Sequence, residues 1–156
     1  MNGKSLGIQK PDTSSISTNL AHPPFTFNMN TFEKGELVAK AYIKGKEVIS
    51  DTVRSPGNPT AIEMQVDYSG KSAKSNSNDV LFIYAKIVDE KGTIVPLNDQ
   101  NVHFNIEGDV ELVSPEVIIT EAGIATALVR VGTGGKPIII KANLNKLASE
   151  ISITVK

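Results

Sequence analysis

Apolar and polar residues alternate one by one through several segments of the chain. The pattern is clearest in AIEMQVDY (61–68), NVHFNI (101–106), IATALVRV (124–131) and ISITV (151–155). Because successive side chains of a β-strand point to opposite faces, this period of two predicts strands with one buried face. The segment DVLFIYAKIVD (79–89) is apolar at both sets of positions, which predicts a central strand covered on both sides.

Residues that favour turns separate these segments at short intervals. Glycines mark the turns predicted near Gly45, Gly70 and Gly92, and again through 132–135. No long stretch carries apolar residues at helical spacing. Many short strands joined by turns predict an all-β fold built from antiparallel, immunoglobulin-like β-sandwiches.

The segment RSPGNPT (54–60) separates two predicted domains, 1–58 and 59–156. Its two prolines and its glycine interrupt a strand ladder. The strand-like segments after it fill about 100 residues, the size of one complete immunoglobulin-like sandwich. The strand-like segments before it are 4–8, 25–29, 36–43 and 47–53. We therefore expect two tandem immunoglobulin-like sandwiches, of which the N-terminal one is incomplete.

Charge and composition exclude several classes of function. The chain has 156 residues, a net charge of −1 and a pI of about 6.1. Neither domain has the excess of lysine and arginine that binds nucleic acid or an anionic membrane. No apolar run approaches the roughly 20 residues of a membrane span. The absence of cysteine excludes disulfides, thiolate metal sites and cysteine nucleophiles.

The opening residues MNGKSLGIQK combine a strong hairpin signal with almost nothing before it. Asn2-Gly3 favours a type I′ turn, because both residues tolerate a positive φ. A strand is predicted after the turn, at 5–10, whereas Met1 alone precedes it. We therefore expect an exposed edge strand and a fragment of a longer protein, whose upstream part carries the partner strand. The opening also lacks the apolar stretch of a signal peptide.

Two segments of the N-terminal domain resemble a known family. NGKSLG (2–7) and KGELVAKAYIKGKEVISDTVRSPGNP (34–59) are similar to the immunoglobulin-like domain that follows the catalytic barrel in glycoside hydrolase family 2 enzymes of the β-galactosidase type. The remainder, including VDEKGTIVP (88–96) and GIATALVRVG (123–132), resembles the next immunoglobulin-like domain of these enzymes. The resemblance spans nearly the whole chain.

This resemblance implies a non-catalytic, C-terminal region of a larger enzyme. The two catalytic glutamates of the family lie on the barrel, whose motifs are absent, so the resemblance assigns no catalytic, cofactor-binding or metal-ligating residue and no cofactor. It implies the parent's catalytic domain as a partner, a homo-oligomer as a further one, and a periplasmic or extracellular location. One departure concerns the loop that usually follows Val113, because GDVELV runs directly into SPEV here.

Two local carboxylate pairs are candidates for acid–base chemistry. A retaining glycosidase needs carboxyl groups about 5–5.5 Å apart. Asp89-Glu90 precedes Lys91-Gly92, and a solvated hairpin tip explains it better. Asp109 and Glu111 share one face of a strand, which we expect to face solvent. Neither pair is predicted to be catalytic.

Other polar groups give no stronger signal. His22 lies in a proline-rich loop, His103 is predicted to point outwards, and no spacing of acidic residues and histidines resembles a metal cage. Residues 98–101 are rich in the oxygen ligands of calcium, but a polar turn explains them better. The serines of 71–79 lack a nucleophile elbow. Residues 132–136 lack the spacing of a phosphate-binding loop.

Three hypotheses for function follow. The first is a structural module that packs on the catalytic domain or on a second subunit. Its candidate contact residues are Val38 and Tyr42, because they leave the strand at 36–43 without a purely polar face.

The second hypothesis is a carbohydrate-binding module, which typically needs an aromatic platform. Tryptophan is absent, and Tyr42, Tyr68 and Tyr84 are predicted to pack in the core, so this hypothesis ranks below scaffolding. Two exposed, roughly coplanar aromatic rings on one face would favour it. The third hypothesis, the immunoglobulin-like stalk of an adhesin or invasin, does not account for the resemblance at 34–59.

Overall fold

The computed structural model describes residues 1–156 and contains two units, Met1–Ser55 and Pro56–Lys156. Its sheets are antiparallel throughout, which confirms the all-β prediction. The one helical element is a single 3-10 turn, Ser17–Asn19. No helix in the structure has the length and apolar character needed to cross a membrane.

The first unit contains one β-hairpin. Strands β1 (Glu36–Ile43) and β2 (Lys46–Arg54) pair around the turn Lys44-Gly45, where both residues have a positive φ. The strands predicted at 4–8 and 25–29 are wrong. Residues 5–10 are exposed, as predicted, but they do not form an edge strand. These segments hydrogen-bond to no neighbouring strand, and an extended segment without such a ladder is not part of a sheet.

The turn predicted at Asn2-Gly3 is confirmed. Asn2 and Gly3 have φ values of 49° and 76°, and the Lys4 N–H donates to the Met1 carbonyl at 2.9 Å. Asn2 also attaches this turn to the beginning of β1. Its backbone N–H donates to the Glu36 carbonyl, and its Oδ1 accepts from the Glu36 N–H, both at 2.8 Å. The turn therefore stabilises the entry to the hairpin instead of starting a new strand.

The second unit is a sandwich of two four-stranded sheets. In spatial order, one sheet contains β3 (Ala61–Asp67), β4 (Val80–Val88), β8 (Ile124–Val131) and β6 (Val110–Leu112). The other contains β10 (Leu147–Ile153), β9 (Ile138–Leu144), β5 (Asn101–Glu107) and β7 (Val117–Ile119). This distribution of strands between two sheets is that of an immunoglobulin-like sandwich.

The core lies between these sheets and follows the predicted alternation. Along β8 every second residue is buried, from Ala125 to Val131. The prediction for β4 is only half right. The strand is central, between β3 and β8, and its inward residues such as Ile83 are buried, but Phe82 on the other face is 43% exposed. A sheet of a two-layer sandwich has a single partner sheet, so its outer face is not covered by the other layer.

Candidate functional site

Asp89 is a buried carboxylate with a structural role. It follows β4, and its Oδ2 accepts the Gly57 N–H at 2.8 Å, while its Oδ1 accepts the N–H groups of Lys91 and Thr93 at 2.9 Å each. The residue is 6% exposed, so the prediction of a solvated position is wrong for Asp89, although the neighbouring Glu90 is exposed.

These hydrogen bonds also lower the pKa of Asp89 and so favour its charged form. The bond from Gly57, together with those from Thr93 and Lys91, lowers the pKa of Asp89 below its ordinary value, against the opposing effect of burial. A general acid in a glycosidase needs the opposite, a carboxyl group whose pKa is raised. Asp89 is therefore suited to fixing the backbone and not to donating a proton.

The second predicted pair is also engaged within the fold. Glu111 Oε2 lies 2.6 Å from Arg130 Nη1 on the adjacent strand, and Glu111 is exposed as predicted. Asp109 is half-buried; its side chain accepts the Gly134 N–H, and its carbonyl accepts the Gly132 N–H at 2.9 Å. Asp109 thus fixes the glycine-rich loop at 132–136, which forms a connection between β8 and β9.

The remaining polar candidates lie apart from one another. His22 and His103 belong to different units and both are exposed. The structure contains no cluster of three or more His, Cys, Asp or Glu residues that could bind a metal ion. In the turn at 98–101, Asn98 Oδ1 accepts the Ala122 N–H at 2.7 Å, which attaches this turn to the hairpin before β8.

Two open recesses offer little catalytic chemistry. One, of about 300 Å³, is lined by Phe104, Asn105, Ile106, Leu112 and Glu116. The other, of about 330 Å³, lies in the first unit, and Glu33 is the only carboxylate that lines it. Each recess has one carboxylate, whereas glycoside hydrolysis by the usual mechanism requires a pair.

The predicted contact residues Val38 and Tyr42 lie on the same face of β1. They are 39% and 57% exposed. This face also carries ion pairs, Lys40 with Glu47 and Glu36 with Arg54, each at 2.9 Å. The opposite face of the hairpin is the more apolar one and carries Leu37, Ala39, Ala41, Ile49 and Val53. The assignment of Val38 and Tyr42 to an interface stays a prediction.

An aromatic pair that the sequence argument missed lies on the outer face of β4. Phe82 and Tyr84 have ring centroids 6.5 Å apart and an interplanar angle of 21°. The prediction that the tyrosines pack in the core is wrong, because Tyr42 and Tyr68 are 57% and 38% exposed and Tyr84 is half-buried. The sequence contains a signal for this pair, because residues 82 and 84 are two apart on one strand and therefore lie on the same face. Alternate residues of any strand in a two-layer sandwich point away from the core.

Comparison with known proteins identifies the fold and the family. Residues 62–152, more than half of the chain, match the family described as Glycoside hydrolase family 2 C-terminal domain 5. The chain belongs to this family. The resemblance inferred from the sequence is therefore confirmed, and the chain is a C-terminal region of the glycoside hydrolase family 2 type. Residues 1–49 match a domain of unknown function (DUF4982).

Relatives of this family 2 C-terminal region are much longer proteins. A β-galactosidase from Thermoanaerobacter pseudethanolicus is 29% identical over 165 residues, covering 100% of this chain and 22% of the relative. The β-galactosidase BoGH2A from Bacteroides ovatus is 28% identical over 109 residues, covering 70% of this chain and 12% of the relative. A crystal structure of a glycosyl hydrolase family 2 member from Bacteroides cellulosilyticus superposes with a TM-score of 0.78 and 28% identity, covering 99% of this chain and 22% of that one. The chain thus spans about a fifth or less of these relatives.

Proposed function

We propose that this chain is a non-catalytic structural region that supports the catalytic barrel of a β-galactosidase-type enzyme. The observation that carries the proposal is the alignment of the whole chain, at 29% identity, with 22% of the Thermoanaerobacter β-galactosidase. The catalytic domain of the parent enzyme is the main proposed partner, and a homo-oligomer is a further one. A periplasmic or extracellular location is proposed from the family resemblance alone.

The chemistry of the chain supports a role without catalysis. Three of the four carboxylates in the candidate pairs, 89–90 and 109–111, already make hydrogen bonds or ion pairs within the fold. Asp89 accepts three backbone N–H groups, Glu111 pairs with Arg130, and Asp109 accepts the Gly134 N–H. These contacts give the three carboxylates structural roles within the fold.

The direct test is an activity measurement on the purified chain. We expect no hydrolysis of a chromogenic galactoside above the rate in buffer, with circular dichroism confirming that the same preparation is folded. Hydrolysis that co-purifies with the folded chain and disappears in the Asp109→Asn, Glu111→Gln double variant would contradict the proposal.

The supporting role can be tested in the Thermoanaerobacter relative. Deleting the segment that aligns with this chain should lower the temperature at which that β-galactosidase loses activity. Replacing the segment by residues 1–156 of this chain should restore much of the lost heat resistance. A deletion that leaves both activity and heat resistance unchanged would exclude a supporting role for this region.

The same chimaera tests the predicted contact residues. The double substitution Val38→Ser, Tyr42→Ser should lower the heat resistance of the chimaera while leaving the isolated chain as stable as before. The matched control is Ile49→Ser, Val53→Ser on the opposite face of the hairpin. If only this control pair weakens the chimaera, the contact face is the apolar one and the prediction for Val38 and Tyr42 is wrong.

A further inference from the structure

The turn at Asn2-Gly3 contains a reactive pair of residues that the proposed function does not use. It is the one Asn-Gly pair in the chain, and Asn2 is exposed to solvent. In such a pair the backbone nitrogen of the glycine can attack Cγ, the side-chain carbonyl carbon of the preceding asparagine. Glycine hinders this attack least because it has no Cβ. Among the asparagines of this chain, Asn2 is therefore the one whose side-chain amide is least shielded by the residue that follows it.

The fold engages both ends of the Asn2 amide in hydrogen bonds. Oδ1 accepts the Glu36 N–H at 2.8 Å, and Nδ2 donates to the Lys34 carbonyl at 3.2 Å. One partner is a donor and the other is an acceptor, so an amide satisfies both at once and a carboxylate cannot. The backbone N–H of Asn2 adds a third bond, to the Glu36 carbonyl at 2.8 Å.

Gly35 provides the space in which the Asn2 amide lies. Its φ is +147°, and a Cβ added there would overlap the Asn2 amide. Gly35 is itself fixed to the residue that follows β2, since its N–H donates to Ser55 Oγ at 3.1 Å and its carbonyl accepts the Ser55 N–H at 2.8 Å. Ring closure between Cγ and the Gly3 nitrogen rotates the Asn2 amide and expels Nδ2, so it competes with the bonds to residues 34 and 36.

We propose that Asn2 is a deamidation site that the folded first unit holds back, and that its reaction detaches the turn from β1. The Gly3 nitrogen forms a bond to Cγ and loses its proton, while the Cγ–Nδ2 bond breaks with release of ammonia. Water then opens the resulting succinimide ring at either carbonyl, which leaves aspartate or isoaspartate at position 2. Water is the only co-reactant, and no electron transfer takes place. This inference does not depend on the proposed function.

The products of this reaction do not rebuild the original contacts. Aspartate presents an oxygen to the Lys34 carbonyl where the amide presented an N–H, so that two acceptors face each other. Isoaspartate adds a carbon to the main chain, and the two-residue turn then loses its geometry. The reaction is therefore a one-way change that weakens the attachment of the turn to the beginning of β1.

The first test compares the full chain with the peptide MNGKSLGIQK, which has the same Asn-Gly pair but no β1. Both are kept at mildly alkaline pH, and peptide mapping by mass spectrometry follows the conversion of Asn2 to aspartate and isoaspartate. Asn2 should react about tenfold more slowly in the full chain, as expected when two hydrogen bonds must be given up. Equal rates in the chain and the peptide would overturn the proposal.

Gly35→Ala tests the hydrogen bonds without changing the reactive pair. It should bring Asn2 close to the rate in the peptide, because the new Cβ displaces the Asn2 amide. The matched control is Gly7→Ala, at a φ of +100° with open space around it, which should leave the rate at Asn2 unchanged. Asn76, which precedes Ser77 in the second unit, should react equally in all samples. No acceleration by Gly35→Ala, or the same acceleration by Gly7→Ala, would contradict the assignment.

A separate measurement tests the detachment of the turn and does not require Gly35→Ala to fold. Asn2→Asp contains the carboxylate of one product from the start. A protease of broad specificity should cut this variant within 1–35 faster than it cuts the wild type, and the Glu36 amide should exchange faster with solvent. If both rates equal those of the wild type, the reaction does not detach the turn.

Discussion

At the scale of single residues, Asp89 shows how one buried carboxylate fixes two backbone segments. It joins Gly57, which precedes β3, to the turn that follows β4 through hydrogen bonds of 2.8–2.9 Å. We expect Asp89→Asn to unfold at a lower urea concentration at pH 7, because the amide turns an NH₂ group towards N–H donors that need an acceptor. Urea titration followed by circular dichroism measures this change.

The effect of Asp89 should depend on pH in a defined direction. Because the pKa of Asp89 is lowered in the folded protein, its stabilising effect is complete above the unfolded value of about 3.9 and is lost as the pH falls through the folded pKa. The difference between the wild type and Asp89→Asn should therefore shrink below about pH 4. Glu90→Gln, at the exposed neighbouring carboxylate, is the control and should change little. A difference that stays constant down to pH 2 would show that the charge of Asp89 does not matter.

Gly123 lies where a side chain has no room. It follows Ala122 in the two-residue turn that leads into β8, with a φ of +83°, and an added Cβ would lie 2.1 Å from the Val95 carbonyl oxygen. Gly92 has a similar φ of +76° but open space around it. We expect Gly92→Ala to lower the free energy of unfolding by about 1 kcal/mol, because an alanine is strained at this positive φ. Gly123→Ala should lower it by roughly a further 1–3 kcal/mol, because the added Cβ also collides with the Val95 carbonyl oxygen. Equal losses of unfolding free energy in urea would show that the backbone at Val95 moves aside freely.

At the scale of the strand, β4 has two faces with different energetic roles. Ile83 is fully buried, whereas Phe82 is 43% exposed. Ile83→Ala should lower the free energy of unfolding by about 2–5 kcal/mol, because it leaves a cavity between the sheets. Phe82→Ala should cost clearly less, since nearly half of the side chain that it removes is already in contact with solvent. Comparable losses would mean that the outer face of β4 is part of the core.

The strands of the second unit could be predicted from sequence because burial on one face imposes a period of two. Residues 124–131 follow this rule without exception. The prediction of strands at 4–8 and 25–29 failed because the pattern of residues that favours an extended chain does not show whether a hydrogen-bonding partner strand exists. The buried position of Asp89 was also missed, since its donor Gly57 is 32 residues away along the chain. A long-range contact of this kind leaves no local trace in the sequence, whereas the bonds from Lys91 and Thr93 follow a local turn pattern of aspartate.

At the scale of the whole molecule, the two units differ in how much apolar surface they bury. Every apolar residue that the structure buries lies between Ile62 and Ile153, whereas the buried residue of the first unit is Ser17. Burial of apolar surface is the dominant stabilising contribution to folding, and a lone hairpin is marginal in water. We therefore expect residues 56–156 alone to unfold cooperatively, with a urea midpoint close to that of the full chain.

The first unit on its own, residues 1–55, should not fold cooperatively. Residues 1–55 alone should show no cooperative transition in urea and should be cleaved rapidly by a protease of broad specificity, because β1 and β2 expose residues such as Ile49 and Val53 and have no core of their own. In the full chain, protease should therefore cut within 1–55 first and leave a resistant product that begins near Pro56. A resistant first unit would mean that it owes its structure to interactions other than burial, such as the Asn2 bonds to Glu36. A large loss of stability in 56–156 alone would contradict the expectation that this unit folds independently.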